Sequence, residues 1–325
     1  MSSETLTAPN AGRVAEATRP QRGPLRRQPN WRRRQALKGA AFTLPFFAGF
    51  ALVTIIPIVI ALGQSVFQEK QSGLGLGKGE LVFAGFDNYL RGLTSEVFWV
   101  GMLRVALFGA VIIPLSLVIS LSMALLLDAV TGRTAKFFRT GFLIPYMVPG
   151  IVATLIWIYL YSPKVGPLTP FFEQFGLNIN FFAPGSVWPS MGNIIVWGGI
   201  GFNMLLMYGS LRAIPRDIFD AARVDGASEF RIAWSIKVPH LRGIIVLTTM
   251  LSIIGSLQMF NEPQLFRTVS PQTVSADWVP VQMIYNQAFV ANDPFYAAAL
   301  SVILAVVVGI ASFIFYKFTN RPVES

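Results

Sequence analysis

The sequence predicts an all-α, polytopic membrane protein, and three observations carry that expectation. Hydrophobic residues make up 53% of the 325-residue chain and charged residues only 13%, against about 25% charged in ordinary soluble domains. Mean hydropathy is +0.56. Six windows, residues 40–62, 105–127, 140–161, 191–211, 243–261 and 294–316, contain no Asp, Glu, Lys or Arg. Each reaches the roughly 20 apolar residues needed to cross about 30 Å of hydrocarbon. Their continuity, in place of the roughly ten-residue alternation of barrel strands, makes them helices that satisfy their own backbone hydrogen bonds in lipid.

Ahead of the first window, residues 1–39 are rich in Arg, Pro and Gly and poor in large apolar groups, so they cannot bury a core and read as a disordered basic tail. The run Arg32-Arg33-Arg34 beside the first span reads as a positive-inside topogenic signal, with a tether to anionic membrane lipid as the other reading. The first window is too long for a signal-peptide core of about 7 to 15 residues and lacks a small-residue cleavage site, which makes it an uncleaved anchor. Next, the segment from Gly73 to Gly79 superficially suggests a phosphate loop. No Ser or Thr follows Lys78, however, so it reads as a flexible loop. Pro57, Pro114, Pro145 and Pro149 mark expected kinks.

Basic residues set the orientation. Placing both termini in the cytoplasm of a bacterial or archaeal cell assigns 20 of the 26 Lys and Arg to the inside and six to the outside. Residues 40–318 then form one six-helix domain with a cytoplasmic loop at 212–242, and 319–325 a short cytoplasmic tail. The chain has no Cys and one His, which excludes disulfides, thiolate chemistry and His-rich metal clusters, so no cofactor, metal or catalytic residue is expected. The excess of basic residues is explained by topology, leaving no case for nucleic acid as a partner.

The longest cytoplasmic loop reads as two short helices. Pro215 suits the first helical position, Gly226 a stop with positive φ, Ser228 a cap for the second helix, and Pro239 its boundary. Ile218, Phe219, Ala222, Phe230, Ile232, Ala233 and Ile236 give it partial apolar faces. It should therefore lie against the bundle or a partner. His240, at its end, reads as an interfacial side chain.

Within that loop, Asp220-Ala221-Ala222, three residues, Gly226, nine residues and Ile236-Lys237-Val238-Pro239 resemble the EAA loop of permease subunits in binding-protein-dependent ABC importers. Asp220 stands for the usual Glu and Val238 for the usual Leu. Phe86-Asp87-Asn88-Tyr89, Leu143-Ile144-Pro145 with Leu155-Ile156-Trp157, and the stretch from Trp197 to Leu211 resemble elements of maltose-type and glycerol-phosphate-type carbohydrate permeases of the first type. The chain departs from them at Thr268-Val269-Ser270-Pro271, where the family usually carries Thr-Gly-Gly-Gly-Pro.

The resemblance implies the type I importer permease fold, no enzymatic activity, and an assembly of four kinds of part. These are this chain, a second permease in a heterodimer, two ATP-binding subunits, and an extracytoplasmic solute-binding protein that delivers a carbohydrate. Asp220, Ala221, Ala222, Asp225, Gly226, Ile236 and Pro239 would couple to the ATPase, with Asp220 meeting a basic residue there. Polar and aromatic residues inside the spans, Trp197, Phe202, Asn203, Ser252, Ser256, Gln258 and Asn261, are the candidate substrate path, their alternative role being helix-to-helix packing. These are uncharged, able to stack on a sugar ring and exchange hydrogen bonds with its hydroxyls. A non-sugar solute remains the alternative cargo. A secondary transporter would need carboxylates within its spans, and an intramembrane enzyme paired Asp, Ser-His or HExxH groups; the six windows hold neither.

Overall fold

The computed structural model describes residues 29–70, 79–130 and 132–319. The tail up to residue 28, the Gly-rich segment 71–78 and the C-terminal tail from 320 lie outside the described residues, and with them the expectations placed on those stretches. The chain divides into two compact units, one ending at Pro57 and the other running from Ile58.

In the first unit, helix α1 covers Pro29–Phe50, so the helix begins well before the expected start at residue 40 and residues 29–39 are helical rather than irregular. A π turn follows at Ala51–Ile55, closed by the Ile56 N–H donating to the Ala51 carbonyl. Pro57 supplies its cause. Proline has no N–H to continue the ladder, and the wider turn just before it absorbs the mismatch.

The second unit opens with the remainder of α2 (Ile56–Gln64) and a two-stranded antiparallel hairpin, β1 (Phe67–Lys70) on β2 (Glu80–Phe83). Asn88, on α3 (Asp87–Leu93), is buried and donates to the carbonyls of Ser65 and Phe67, while the Tyr89 hydroxyl lies 2.6 Å from Ser65 Oγ. The Asn-Tyr pair thus ties the end of α2 to α3. Helix α4 spans Glu96–Ala129, capped by Ser95 Oγ accepting from the Phe98 N–H.

The third apolar run is not one straight helix. It is α5 (Gly132–Met147) and α6 (Gly150–Tyr161), bent by 94°, because Pro149 disfavours helical backbone at Val148 and cannot donate to the preceding turn. A short α7 (Leu168–Glu173) leads to α8 (Val187–Leu211). There Gly201 passes so close to the Phe142 and Leu143 backbone that any Cβ would collide with it. Two short helices, α9 (Arg216–Val224) and α10 (Glu229–Ile232), form a hairpin. A second π turn, Ala233–Lys237, runs into α11 (Val238–His240), again two residues before a proline, Pro239. The expected boundary at Pro239 therefore falls later, at Leu241, where the chain bends by 62° into α12 (Arg242–Leu257).

α12 stops four residues short of the expected end of the fifth span at Asn261. Nonhelical residues follow, with Phe260 at φ −141°, before α13 (Asn261–Val269) and α14 (Pro280–Phe289). The final helix, α15 (Pro294–Thr319), is capped by Asp293 accepting from the Tyr296 N–H. Among the described residues, four helical stretches are long and apolar enough to cross a membrane, and six if each bent pair counts as one span.

Two apolar cores hold the second unit together. One gathers Phe98 and Phe108 of α4 with Met191 and Ile194 of α8, Phe266 of α13 and Leu300 of α15. The other joins Ala124 and Leu127 of α4 to Met204, Met207 and Leu211 of α8 and to Leu241. Between them on the same two helices lie Ser116 and Asn203, both buried and polar. A polar band across an apolar bundle is costly unless it lines something.

Candidate functional site: a coupling hairpin and a polar cavity

The hairpin is built by its backbone. α9 begins after Pro215, which takes the capping position (φ −59°, ψ 136°) one residue ahead of the first helical position expected for it. It ends in a Schellman arrangement. Gly226 sits at φ +80° and donates to the Arg223 carbonyl at 3.0 Å, while Ala227 donates to Ala222 at 2.9 Å. Both bonds satisfy carbonyls the helix leaves unpaired. Nothing lies within 4 Å of where a Gly226 Cβ would stand, so the demand for glycine comes from φ and not from space. Ser228 Oγ then accepts from the Arg231 N–H at 3.3 Å and starts α10.

A charge relay braces the two arms. Arg223 donates through Nε to Glu229 and through Nη1 to Asp220, each at 2.8 Å. The hydrogen bond from Arg223 holds the Glu229 carboxyl below its usual range, and Glu229 in turn raises Arg223. All three side chains are at least 49% exposed. The relay therefore orients the arms more than it stabilises them. Asp220, expected to meet a partner's basic residue, is paired here with a residue of its own helix.

The hairpin is anchored on one side and bare on the other. Phe219 packs into the second core, Ile232 is buried, and Lys237 reaches Asp128 at the end of α4 in an ion pair of 2.6 Å whose side chains are 11% and 10% exposed. Ile236 is half-buried and Pro239 exposed. Opposite, Ile218, Val224, Phe230 and Trp234 are exposed. A cavity of about 580 Å³ runs beneath the hairpin, lined by Asp128, Arg216, Phe219, Asp220, Arg223 and Lys237 among others. Sequence reasoning missed the Asp128–Lys237 pair; the only signal was a lone acid closing an apolar run on the side richest in basic residues.

Five of the seven candidate path residues, Asn203, Ser252, Ser256, Gln258 and Asn261, line a single cavity of about 370 Å³ together with Ser116 and the apolar Phe108 and Ile112. It lies where α12 breaks, and the nonhelical residues Gln258, Met259 and Phe260 join its wall. The other two candidates are elsewhere. Trp197 meets Trp157 edge to face at 5.8 Å, and Phe202 stacks on Tyr146 at 4.8 Å. Both contacts join α8 to the bent pair α5 and α6. One charged residue enters the cavity unforeseen: Glu262, in the first turn of α13, past the end of α12. Burial pushes its carboxyl above the usual range. Among the described residues no group of His, Cys, Asp and Glu could hold a metal ion.

Residues 116–324 match the family described as the binding-protein-dependent transport system inner membrane component. The diacetylchitobiose uptake system permease protein NgcF of Streptomyces coelicolor is 29% identical, over 85% of this chain and 81% of its own length. The sn-glycerol-3-phosphate transport system permease protein UgpA of Escherichia coli is 26% identical, over 84% of this chain and 92% of its own. In fold, the chain is similar to one in the crystal structure of a bacterial ABC transporter involved in the import of the acidic polysaccharide alginate. The TM-score is 0.76 at 19% identity, over 90% of this chain and all of that one.

Proposed function

The chain belongs to the family of binding-protein-dependent transport system inner membrane components, and from that premise we propose that it is one of two unlike permease subunits of an ABC sugar importer. It is a multi-pass transport component of the bacterial inner membrane type and not an enzyme. In the proposed assembly the partner permease completes the path, two ATP-binding subunits dock on the hairpin, and an external solute-binding protein delivers the sugar. Both termini and the hairpin face the cytoplasm, as the 20 to 6 division of basic residues favours.

The hairpin is the observation that carries this reading. It holds one apolar face in its own bundle through Phe219 and leaves Ile218, Phe230 and Trp234 uncovered, a surface that a soluble ATPase would bury. Force applied there passes to α4 through Lys237 and Asp128. Asp220, 68% exposed on its side chain, can exchange Arg223 for a basic residue of the ATPase when the two surfaces meet.

The polar cavity supports a carbohydrate as cargo. Its amides and hydroxyls match sugar hydroxyls, and it lacks the fixed cation that an amino acid carboxylate would require. Of the solutes named for the relatives, glycerol 3-phosphate is an anion, and the cavity offers no cation to hold it; a neutral sugar fits better.

Affinity purification of the tagged chain from its native membrane tests the assembly. Recovery of an ATP-binding subunit and a second, different permease is expected, with sugar-stimulated ATP hydrolysis in proteoliposomes once the solute-binding protein is added. Isolation of the chain as a transporter active without ATP would overturn the proposal.

A further inference from the structure

We propose that a basic pocket beside the hairpin holds the phosphate of an anionic phospholipid headgroup. The pocket, of about 250 Å³, lies between the start of α5, the end of α8 and the first residue of α9. Lys136 and Arg139 come from one face of α5, three residues apart, and Arg212 and Arg216 from either side of the Ile214–Pro215 turn. No acidic side chain lines it. Among the described residues none of the four forms an ion pair, in contrast to Arg223 and Lys237 nearby. Four cations around one concave space repel one another, and an anion relieves that repulsion.

The surroundings favour lipid over a soluble phosphate. Phe137 and Phe138, on the same turn of α5 as Lys136 and Arg139, are 74% and 43% exposed. Ile144 and Met147 continue that exposed apolar surface along α5. Tyr208 also lines the pocket, and tyrosine concentrates at the level of lipid headgroups. A headgroup held by the four cations would lay its acyl chains along the apolar side of α5. Basic pockets between membrane helices on this side of the bilayer have that chemistry.

The site extends past the coupling reading without depending on it. Arg216 is both a pocket residue and the first residue of α9. A bound headgroup therefore links the hairpin to α5 and α8, and anionic lipid should influence how firmly the hairpin is held.

The test uses the full importer assembly in detergent, titrated with phosphatidylglycerol and with phosphatidylcholine and read by native mass spectrometry. The assembly should retain phosphatidylglycerol selectively. Arg139→Gln with Arg212→Gln should weaken retention by about fivefold for each charge removed. Arg133→Gln, which removes one charge outside the pocket, should leave it unchanged. If the double variant does not assemble, Lys136→Gln at an exposed position gives the same readout. Equal retention of the two lipids, or equal losses for Arg133→Gln and the pocket variants, would overturn the site. Displacement of the lipid by millimolar inorganic phosphate would overturn the lipid assignment in favour of a soluble anion. Because the readout is lipid retention, it is independent of whether the cargo is a sugar.

Discussion

Lys237 donates to Asp128 across 2.6 Å and so joins residues 109 positions apart, one on the hairpin and one at the end of α4. Both charges are nearly buried, so each depends on the other. Removing either alone leaves an unpaired charge, at a cost of about 3 to 5 kcal/mol, whereas replacing both by apolar groups of similar size costs far less. Lys237→Met should lower the melting temperature and abolish uptake. Asp128→Leu with Lys237→Met should recover much of the melting temperature while transport stays impaired, because the link from hairpin to α4 is gone. Thermal melts and uptake assays on the single and double variants check this. Additive losses of stability would contradict the coupling.

Gly226 gives a second test, separating backbone strain from side-chain contact. At φ +80° a β-carbon costs roughly 1 to 2 kcal/mol, and no neighbour obstructs it. Gly226→Val should misdirect α10 and uncouple ATP hydrolysis from uptake while the protein still inserts. Gly226→Asn, which tolerates the left-handed region, should retain a large part of both activities. Parallel ATPase and uptake measurements in proteoliposomes decide between this and a merely packed glycine, for which Asn would be as damaging as Val.

The sequence displayed what depends on local chemistry. Apolar runs located the spans, and the spacing from Pro215 through Gly226 to Ser228 located the hairpin, because each residue there imposes its own backbone geometry. Proline marked only some of the places where helices deform: Pro149 ends a helix and turns the chain, Pro57 and Pro239 are each preceded by a π turn that keeps the helix going, and Pro114 and Pro145 lie inside α4 and α5, which run on through them. Contacts across the fold left no local trace. The lone acid Asp128 does not say which of the many basic residues it meets, and Trp197 has the composition of a sugar platform yet meets Trp157 edge to face. Glu262 escaped notice because it lies one residue beyond an apolar window whose helix stops early at Leu257.

Orientation is tested by a single-cysteine scan, for which the Cys-free chain is a clean background. Ser228→Cys, in the hairpin, should react with a membrane-impermeant maleimide only after the cells are opened. Gln174→Cys, in the segment between α7 and α8, should react from outside. The reverse pattern would invert the topology.

The division of the candidate path residues predicts two classes of variant. Asn203→Ala and Gln258→Ala remove groups that line the cavity, so uptake should slow severalfold at unchanged melting temperature. Trp197→Ala removes an aromatic contact at a half-buried position beside the core, and its main effect should be on stability. A normal melt for Trp197→Ala, or a lowered one for Gln258→Ala, would reverse the assignment of these residues.

Glu262 should make selectivity depend on pH. Burial raises its carboxyl pKa, so the folded protein holds this proton at a pH where a free glutamate has lost it. The native state therefore loses stability as pH rises from the ordinary glutamate range through the raised value, since ionising the buried carboxyl is then required. Above that value the cavity carries a negative charge and rejects anionic sugars; below it the rejection fades. Glu262→Gln should remove both the loss of stability and the pH dependence, and should let the importer carry a phosphorylated sugar alongside its neutral one. Competition between neutral and phosphorylated sugars, measured in proteoliposomes across that range for both forms, provides the check. If wild type and variant discriminate equally at every pH, Glu262 has no part in selectivity and the choice of cargo is made before the solute reaches this cavity.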